Sequence, residues 1–187
     1  DAYIALKLFN IFDKRILLEK SSFVYNKIDQ PLIKVLASME NLGIKVDQKY
    51  LNQLSKEFQK QSIILEKKIY SITKKEFNIA SPKQLGEIIF IEMGIKGGKK
   101  TKSGTYSTDS SILDNLATNG HEIARLVIEW RELTKLRTTY TDSLLDQVSF
   151  STKRVHTSYA SATTITGRLS SNDPNLQNIP IRTENGK

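Results

Sequence analysis

The 187-residue chain has no cysteine, which excludes disulfide bonds and thiolate metal sites. Its only histidines, His121 and His156, have no third metal-binding partner near them in the sequence, so we interpret both as surface or locally hydrogen-bonded side chains. No apolar run approaches the roughly 18 residues that a membrane-spanning helix needs. The opening residues lack the basic leader and cleavage site of a signal peptide. Because the chain opens with Asp1, we expect it to be a piece of a longer polypeptide.

The charge of the chain is strongly unbalanced. Lys and Arg together number 28 against 20 Asp and Glu, which gives a formal net charge of +8. Hydrophobic residues make up 39% of the sequence, enough for a folded core. A basic excess of this size favours a polyanionic partner, either a nucleic acid or an anionic membrane surface.

The spacing of apolar residues predicts a mainly α-helical chain. Two of the predicted helices are long and of matched length, and we expect them to form an antiparallel pair. The motif Ser81-Pro-Lys-Gln84 predicts a capping box at the start of a shorter helix. The predicted helices cover about residues 1–20, 31–42, 48–73, 82–93 and 122–148.

A small antiparallel β element is predicted near the C-terminal end. Residues 154–159 alternate like a strand, and residues 163–169 are the predicted hairpin partner. Residues 44–46 predict a short extended link, and residues 170–187 predict irregular coil. The sequence therefore predicts an α+β chain, mainly α, with one small antiparallel β element.

Residues 94–108 combine four glycines with four lysines and contain no acidic residue. This composition predicts an exposed, mobile, basic loop. Lysines on such a loop can follow a phosphate backbone without demanding a base sequence. We expect Ser107 or Thr108 to cap a helix from Asp109 and to offer a seat for a phosphate. The alternative is an ordinary solvated loop.

No self-sufficient active site is visible in the sequence. The glycines at positions 94, 97 and 98 lack the GK[ST] ending and the preceding strand of a phosphate-binding loop. There is no serine elbow and no convincing cluster of carboxylates.

The motif Thr164-Ile-Thr-Gly-Arg-Leu-Ser-Ser171, followed by Asp173-Pro-Asn-Leu-Gln-Asn-Ile-Pro180, resembles the first palm motif of the family A DNA polymerases. The resemblance extends backwards. The stretch from Arg131 to Asp142 is similar to the second long thumb helix of that family, and residues 81–85 and 101–108 are similar to its thumb-tip segments. The opening residues, with Asp1, resemble the last motif of the adjoining 3′–5′ exonuclease domain.

The resemblance implies three domain segments and a set of contact residues. Residues 1–27 would be the C-terminal helix of the exonuclease-like domain, 28–149 a helical thumb with the long antiparallel pair, and 150–187 the start of the palm. Arg182 would lie near the incoming nucleotide, and Asp1 would be one metal ligand of an incomplete exonuclease site. The residues implied to bind DNA are Lys99, Lys100, Lys102, Ser103, Ser107, Thr108, Arg137, Thr138, Arg168, Asn175 and Gln177.

A polymerase must hold any correctly paired primer end, whatever its sequence. In the minor groove every Watson–Crick pair presents an acceptor in nearly the same place. Arg168, Asn175 and Gln177 supply donors of the right kind, and the resemblance places them at the primer–template minor groove. A mispair moves the acceptor and loses a bond worth about 1.5–3 kcal/mol for a charged donor.

The implied parent is a bacterial-type, cytoplasmic, monomeric DNA polymerase that uses Mg²⁺ and binds primer–template DNA and dNTP in replication and repair. Two metal ions held by palm aspartates would join the nucleotides, and in the family those aspartates follow the segment where this chain ends. We therefore expect this chain alone to be inactive.

Two alternatives remain open. The first is a non-catalytic helical module that binds DNA or another protein. Docking of a protein would need apolar residues on the outward helix faces, where the chain has Lys56, Lys60 and Lys67. The second is a nuclease remnant, which would need more carboxylates near Asp1 than Asp13 supplies.

Overall fold

A computed structural model describes residues 1–102 and 104–180 of the chain. Over this range the chain forms two compact units. The strand unit comprises Asp1–Val46 and Gln147–Ile179. The helix-pair unit comprises Asp47–Asp146 together with Pro180. Among the described residues no helix is both long enough and apolar enough to cross a membrane.

Eight α-helices account for most of the regular structure of the described residues. Short π-helical segments at Tyr25–Asp29, Ile88–Glu92 and Leu136–Asp142 continue or join them. The helices are α1 (Ala2–Leu18), α2 (Ser22–Val24), α3 (Gln30–Leu42), α4 (Gln48–Thr73), α5 (Pro82–Glu87), α6 (Ser110–Thr118), α7 (Glu122–Lys135) and α8 (Ser143–Asp146).

The helix-pair unit is built on α4 and α7. The two helices are antiparallel, because Ser55 near the start of α4 bonds Asp142 beyond the end of α7, whereas Glu66 farther along α4 bonds Trp130. Their facing apolar stripes form the core together with side chains from the segments between them. The buried core residues include Phe58, Leu65, Ile69, Leu85, Ile89, Leu113, Leu116, Ile123, Leu126, Val127, Trp130, Leu133 and Leu136.

The bounds of α4 follow from local chemistry and match the prediction of 48–73. The Asp47 side chain accepts a hydrogen bond from the backbone N–H of Tyr50 at 3.0 Å, which pairs one of the free donors of the first turn. The helix ends at Lys74, whose φ of 55° is left-handed.

The second long helix, predicted to run from 122 to about 148, is not one continuous α-helix. It changes to π geometry at Leu136–Asp142 before α8 completes it. A π segment widens the turn and moves the residues beyond it onto a different face. The prediction of the helix was right in extent, and wrong in geometry after Lys135.

The capping box predicted at Ser81 is formed only in part. The Ser81 hydroxyl accepts from the backbone N–H of Gln84 at 3.4 Å. The Gln84 side chain accepts from the N–H of Asn78 at 2.8 Å. The N–H of Ser81 donates instead to the carbonyl of Asn78 at 2.9 Å. The Gln84 side chain therefore holds the backbone at Asn78, ahead of the helix, and does not cap Ser81.

The strand unit holds two short antiparallel ribbons. Strand β1 (Ile44–Lys45) pairs with β2 (Arg154–Val155). Strand β3 (Ser158–Ala160) pairs with β4 (Ser170–Asn172), with Tyr159 opposite Ser171. The mainly α fold with a small antiparallel β element is therefore confirmed.

The predicted hairpin partner, residues 163–169, is wrong. These residues form the connection before β4, and Gly167 takes a φ of 72° in a turn that Thr164 closes. The Thr164 hydroxyl donates to the carbonyl of Arg168 at 2.6 Å. The coil predicted from residue 170 begins only after β4, at Asp173.

His156 makes the predicted local hydrogen-bond contact, with Thr152, and a long-range one with Glu40. Its Nδ1 lies 2.8 Å from the carbonyl of Glu40, and its Nε2 lies 2.7 Å from the Thr152 hydroxyl. The imidazole packs on Gly43, where a Cβ atom would approach the ring to 2.7 Å. The glycine also has a φ of 66°. Gly43 therefore serves both to end α3 and to admit the histidine.

Candidate nucleic-acid interface

The basic loop of the helix-pair unit is a narrow hairpin rather than open coil. Lys100 and Tyr106 form an antiparallel bridge, and the N–H of Ser107 donates to the carbonyl of Lys99 at 2.8 Å. Nearer the tip, the N–H of Thr101 donates to the carbonyl of Thr105 at 2.7 Å. The side chains of Lys99, Lys100 and Lys102 remain exposed. The loop therefore presents its charges from a hydrogen-bonded frame.

The base of this hairpin is packed onto the core. The rings of Phe90 and Tyr106 lie 5.0 Å apart between centroids. A Cβ atom on Gly98 would lie 2.7 Å from the Tyr106 ring and 2.8 Å from the Phe90 ring. No other residue type fits this position without moving an aromatic ring. The packing therefore fixes where the hairpin leaves the body of the unit.

A cleft of about 520 Å³ opens between the hairpin and the polar face of α7. Three of the residues predicted to bind DNA, Ser107, Thr108 and Thr138, line it together. The other polar residues in its wall are Thr101, Thr105, Asp109, Arg131, Thr134, Lys135 and Thr139. The cleft therefore combines hydroxyl groups with two cations and one carboxylate, and this net positive lining suits a phosphate backbone.

Arg131 links the two walls of the cleft, because it bonds Thr108 from α7. Its guanidinium donates to the carbonyl of Thr108 at 2.6 Å and to the hydroxyl of Thr108 at 3.0 Å. Burial lowers the pKa of Arg131, and the Asp109 carboxylate opposes that shift. Because an arginine starts from so high a pKa, the side chain stays cationic at neutral pH.

The cap predicted at Ser107 or Thr108 is wrong. Helix α6 begins at Ser110, and its N-cap is Asp109, whose side chain makes no cap hydrogen bond. Ser107 accepts from the N–H of Asp109 at 3.3 Å, and Thr108 is buried, with 4% of its surface exposed. The helix start thus carries a carboxylate, which removes the dipole argument for a phosphate there. Contacts of Ser107 and Thr108 with DNA remain predictions.

Arg137 and Thr138 lie at the start of the π segment. The hydroxyl of Thr138 donates to the carbonyl of Thr134 at 2.9 Å, and its side chain is exposed. The Nε of Arg137 lies 3.4 Å from Oδ2 of Asp142, with 31% of the arginine side chain exposed. Unlike Thr138, Arg137 does not line the cleft.

Arg168, Asn175 and Gln177 all belong to the strand unit. Within the described part of the chain the exposed guanidinium of Arg168 makes no hydrogen bond or ion pair. Asn175 accepts from the N–H of Gln177 at 3.0 Å. The Gln177 side chain donates to the carbonyl of Leu169 at 2.8 Å and accepts from the N–H of Ser171 at 3.3 Å. Gln177 therefore already holds the backbone next to Arg168.

A buried hydroxyl pair supports this segment. The hydroxyl oxygens of Thr157 and Ser171 lie 2.7 Å apart, and Ser171 is 1% exposed. The Ser171 hydroxyl also accepts from the N–H of Leu176 at 3.1 Å, and the carbonyl of Pro174 lies within hydrogen-bond distance of both hydroxyls. The pair ties the loop of Asn175 and Gln177 to β4.

Two predicted site residues, Ser103 and Arg182, lie outside the described residues. Asp1 is exposed at the start of α1 and makes no side-chain cap bond. Mg²⁺ prefers carboxylate oxygens, and over 1–102 and 104–180 no three His, Asp or Glu residues gather into a group that could hold a metal.

The prediction from sequence missed Arg131, Thr134 and Lys135 as members of the cleft. Their spacing carried the signal, because residues 131, 134, 135 and 138 fall on one face of an α-helix. They form the polar face opposite the stripe of Leu126, Trp130 and Leu133.

Comparison with solved structures places this arrangement among polymerase domains. The structure of the POL domain of Pol1 from M. smegmatis, in complex with DNA primer-template and dNTP, aligns with a TM-score of 0.86 at 38% identity. The alignment covers 97% of this chain and 32% of that one.

The sequence comparisons define the family. The sequence model of DNA polymerase family A matches residues 48–187, and the chain belongs to this family. The DNA polymerase I of Rhizobium leguminosarum is 48% identical over 187 residues, which is 100% of this chain and 18% of the relative. The DNA polymerase I of Geobacillus stearothermophilus is 47% identical over 161 residues, 86% of this chain and 18% of the relative. The chain thus spans about a fifth of the length of these relatives.

Proposed function

We propose that this chain is the part of a DNA-directed DNA polymerase that grips primer–template duplex during template-directed synthesis. The helix-pair unit contacts the phosphate backbone, and the Arg168 segment contacts the minor groove. The polymerase binds dNTP through residues that include Arg182, uses Mg²⁺ held elsewhere and acts as a monomer. The predicted division into an exonuclease-like helix (1–27), a thumb (28–149) and a palm start (150–187) belongs to this proposal.

One observation carries the proposal. Arg168 stands exposed and unpaired among the described residues, on a segment whose backbone is held by Gln177 and by the buried Thr157–Ser171 pair. A cation on a fixed backbone is favourably placed for a ligand, because little loop freedom remains to be lost on binding. Family membership and the solved complex of a relative with primer-template support DNA as that ligand.

The cleft of the helix-pair unit supports the backbone contact. Its lining includes the cations Arg131 and Lys135, and the exposed lysines of the hairpin lie beside it. They suit phosphates, which every duplex presents in the same way. The chain alone is proposed to be inactive, since the described residues gather no metal-binding carboxylates.

The test is Arg168→Ala, measured by fluorescence anisotropy with a labelled primer–template at low salt. We expect affinity for a matched primer end to fall about tenfold or more, because the variant removes a charged hydrogen bond. The preference for a matched over a mismatched primer end should shrink in parallel. Arg125→Ala is the matched control, because Arg125 is an exposed arginine whose one ion pair among the described residues is with Glu122 at 3.8 Å. Equal losses of affinity in the two variants would contradict the proposal.

A further inference from the structure

The π segment Leu136–Asp142 brings together two residues that an α-helix would keep apart. Arg137 and Asp142 are five positions apart, and on an α-helix such residues point about 140° away from each other. The i→i+5 bonding of a π-helix widens the turn and brings the two side chains to one side. Here Nε of Arg137 lies 3.4 Å from Oδ2 of Asp142. The contact therefore depends on the change of helix geometry.

Asp142 is itself held from the other long helix. The Ser55 hydroxyl on α4 donates to Oδ1 of Asp142 at 2.5 Å. The carboxylate thus has one oxygen fixed by α4 and the other facing Arg137. Thr141, buried beside it, donates to the carbonyl of Arg137 at 2.9 Å. The contacts Ser55–Asp142 and Asp142–Arg137 therefore link α4 to the arginine across the helix pair.

The orientation of Arg137 follows from this contact. Its Nε is buried and has no hydrogen-bond partner within the described residues, whereas 31% of the side chain is exposed. The Nε therefore faces Asp142 and the protein, and the exposed part of the side chain lies away from it. A guanidinium held in this way presents a fork of donors, which matches the geometry of a phosphate.

We propose that Asp142 is a positioning residue that aims the guanidinium of Arg137 at a DNA phosphate, and that Ser55 holds Asp142 for this purpose. The inference rests on the proposed function and on the Arg137 contact it includes. It assigns a role in DNA binding to an acidic side chain, against the simple expectation that a carboxylate repels a phosphate.

If Asp142 only repelled the phosphate, its removal would raise the affinity for DNA, whereas the proposed role predicts a lower affinity. Anisotropy with a labelled primer–template compares the 187-residue chain with Arg137→Ala, Asp142→Asn and the double variant. We expect each single change to weaken binding about three- to fivefold, the size of one solvent-accessible ion pair. The double variant should bind no more weakly than Arg137→Ala. The log–log salt slope should become shallower by about 0.9 in all three, since one phosphate fewer is neutralised.

Asp114→Asn is the matched control, because Asp114 is exposed on α6 and the substitution makes the same charge change. It should leave binding unchanged or tighten it. If Asp142→Asn also left binding unchanged or tightened it while Arg137→Ala weakened it, the positioning role would be refuted. If Arg137→Ala had no effect while Arg168→Ala did, the inference would fail and the proposed function would stand. If neither arginine mattered, both would fail.

Ser55→Ala is a second variant that tests the same contact in case Asp142→Asn does not fold. It keeps both charges and removes only the hydroxyl that holds the carboxylate. We expect a smaller decrease of affinity in the same direction, absent when Arg137 is already alanine. A merely structural role would lower the thermal midpoint without this dependence on Arg137, and that result would overturn the proposal.

Discussion

The Ser171 hydroxyl joins three parts of the strand unit: β4, the Thr157 side chain and the backbone at Leu176. It is almost fully buried, so water cannot replace any partner that it loses. Together with the Gln177 side chain, this hydroxyl attaches the exposed segment of Asn175 and Gln177 to the ribbon.

We therefore expect Ser171→Ala to lower the free energy of unfolding by about 1–3 kcal/mol, because the buried Thr157 hydroxyl and the part-buried N–H of Leu176 each lose a partner. Chemical denaturation followed by circular dichroism measures the change. Ser170→Ala is the control, since the neighbouring hydroxyl bonds the exposed Thr163 side chain. The control should cost less than about 0.5 kcal/mol. Similar losses of stability for both serines would show that the buried pair has no special role.

The types of side chain in the Arg168 segment were predictable, but their partners were not. The motif indicated Arg168, Asn175 and Gln177 as donors, and all three side chains are exposed. Gln177, however, donates one of its amide hydrogens to the carbonyl of Leu169. That bond spans eight positions and depends on the path of the loop, which no local pattern specifies.

Helices α4 and α6 begin in different ways, although each has an aspartate at its N-cap. Asp47 accepts a hydrogen bond from the first turn of α4, and Asp109 makes no such bond at α6. The contribution of the two carboxylates to stability should differ accordingly.

Asp47→Ala should lower the free energy of unfolding by about 1 kcal/mol, because the N–H of Tyr50 loses its acceptor. Asp109→Ala is the matched substitution and should cost less than half as much. Thermal unfolding followed by far-ultraviolet circular dichroism compares the two. An equal or larger cost at Asp109 would show that its charge, rather than a cap bond, supports the helix.

Helix spacing predicted α4 to the residue, because its stripe and its cap agree. The same reasoning could not reveal the π segment, since the apolar residues Leu136 and Tyr140 fit the α period as well. The hairpin error at 163–169 has a similar origin. Residues 163–169 were predicted to pair with the preceding strand, whereas the left-handed Gly167 and the Thr164 hydroxyl bond belong to a turn. The periodicity of a sequence does not show whether a segment will bond within itself or with a distant part of the chain.

The excess of eight positive charges is distributed over the molecule rather than confined to one patch. Lysines stand both on the hairpin, at positions 99, 100 and 102, and on the outward face of α4, at 56, 60 and 67. The lysines at 99, 100 and 102 lie on the hairpin that borders the cleft, and those at 56, 60 and 67 do not. The two groups let the effect of direct phosphate contacts be separated from the effect of overall charge.

Binding of the chain to primer–template should weaken with salt with a log–log slope near −3.6, as expected for about four phosphate contacts. Changing Lys99, Lys100 and Lys102 to glutamine should make the slope shallower by about 0.9 for each phosphate that is no longer neutralised. The same change at Lys56, Lys60 and Lys67 removes equal charge and should leave the slope almost unaltered. Anisotropy titrations over a range of salt give both slopes. Identical slopes in the two triple variants would point to diffuse attraction without direct contacts.

The ribbon of β1 and β2 also bears on how this polypeptide can be rearranged. Val155 pairs with both Ile44 and Val148. The segment Asp47–Asp146 therefore leaves the strand unit and rejoins it at neighbouring points of one ribbon. A segment whose two ends lie close together can be exchanged as a unit. Chimeras that exchange 47–146 between relatives, or replace it with a short linker, therefore have natural junctions at Val46 and Gln147.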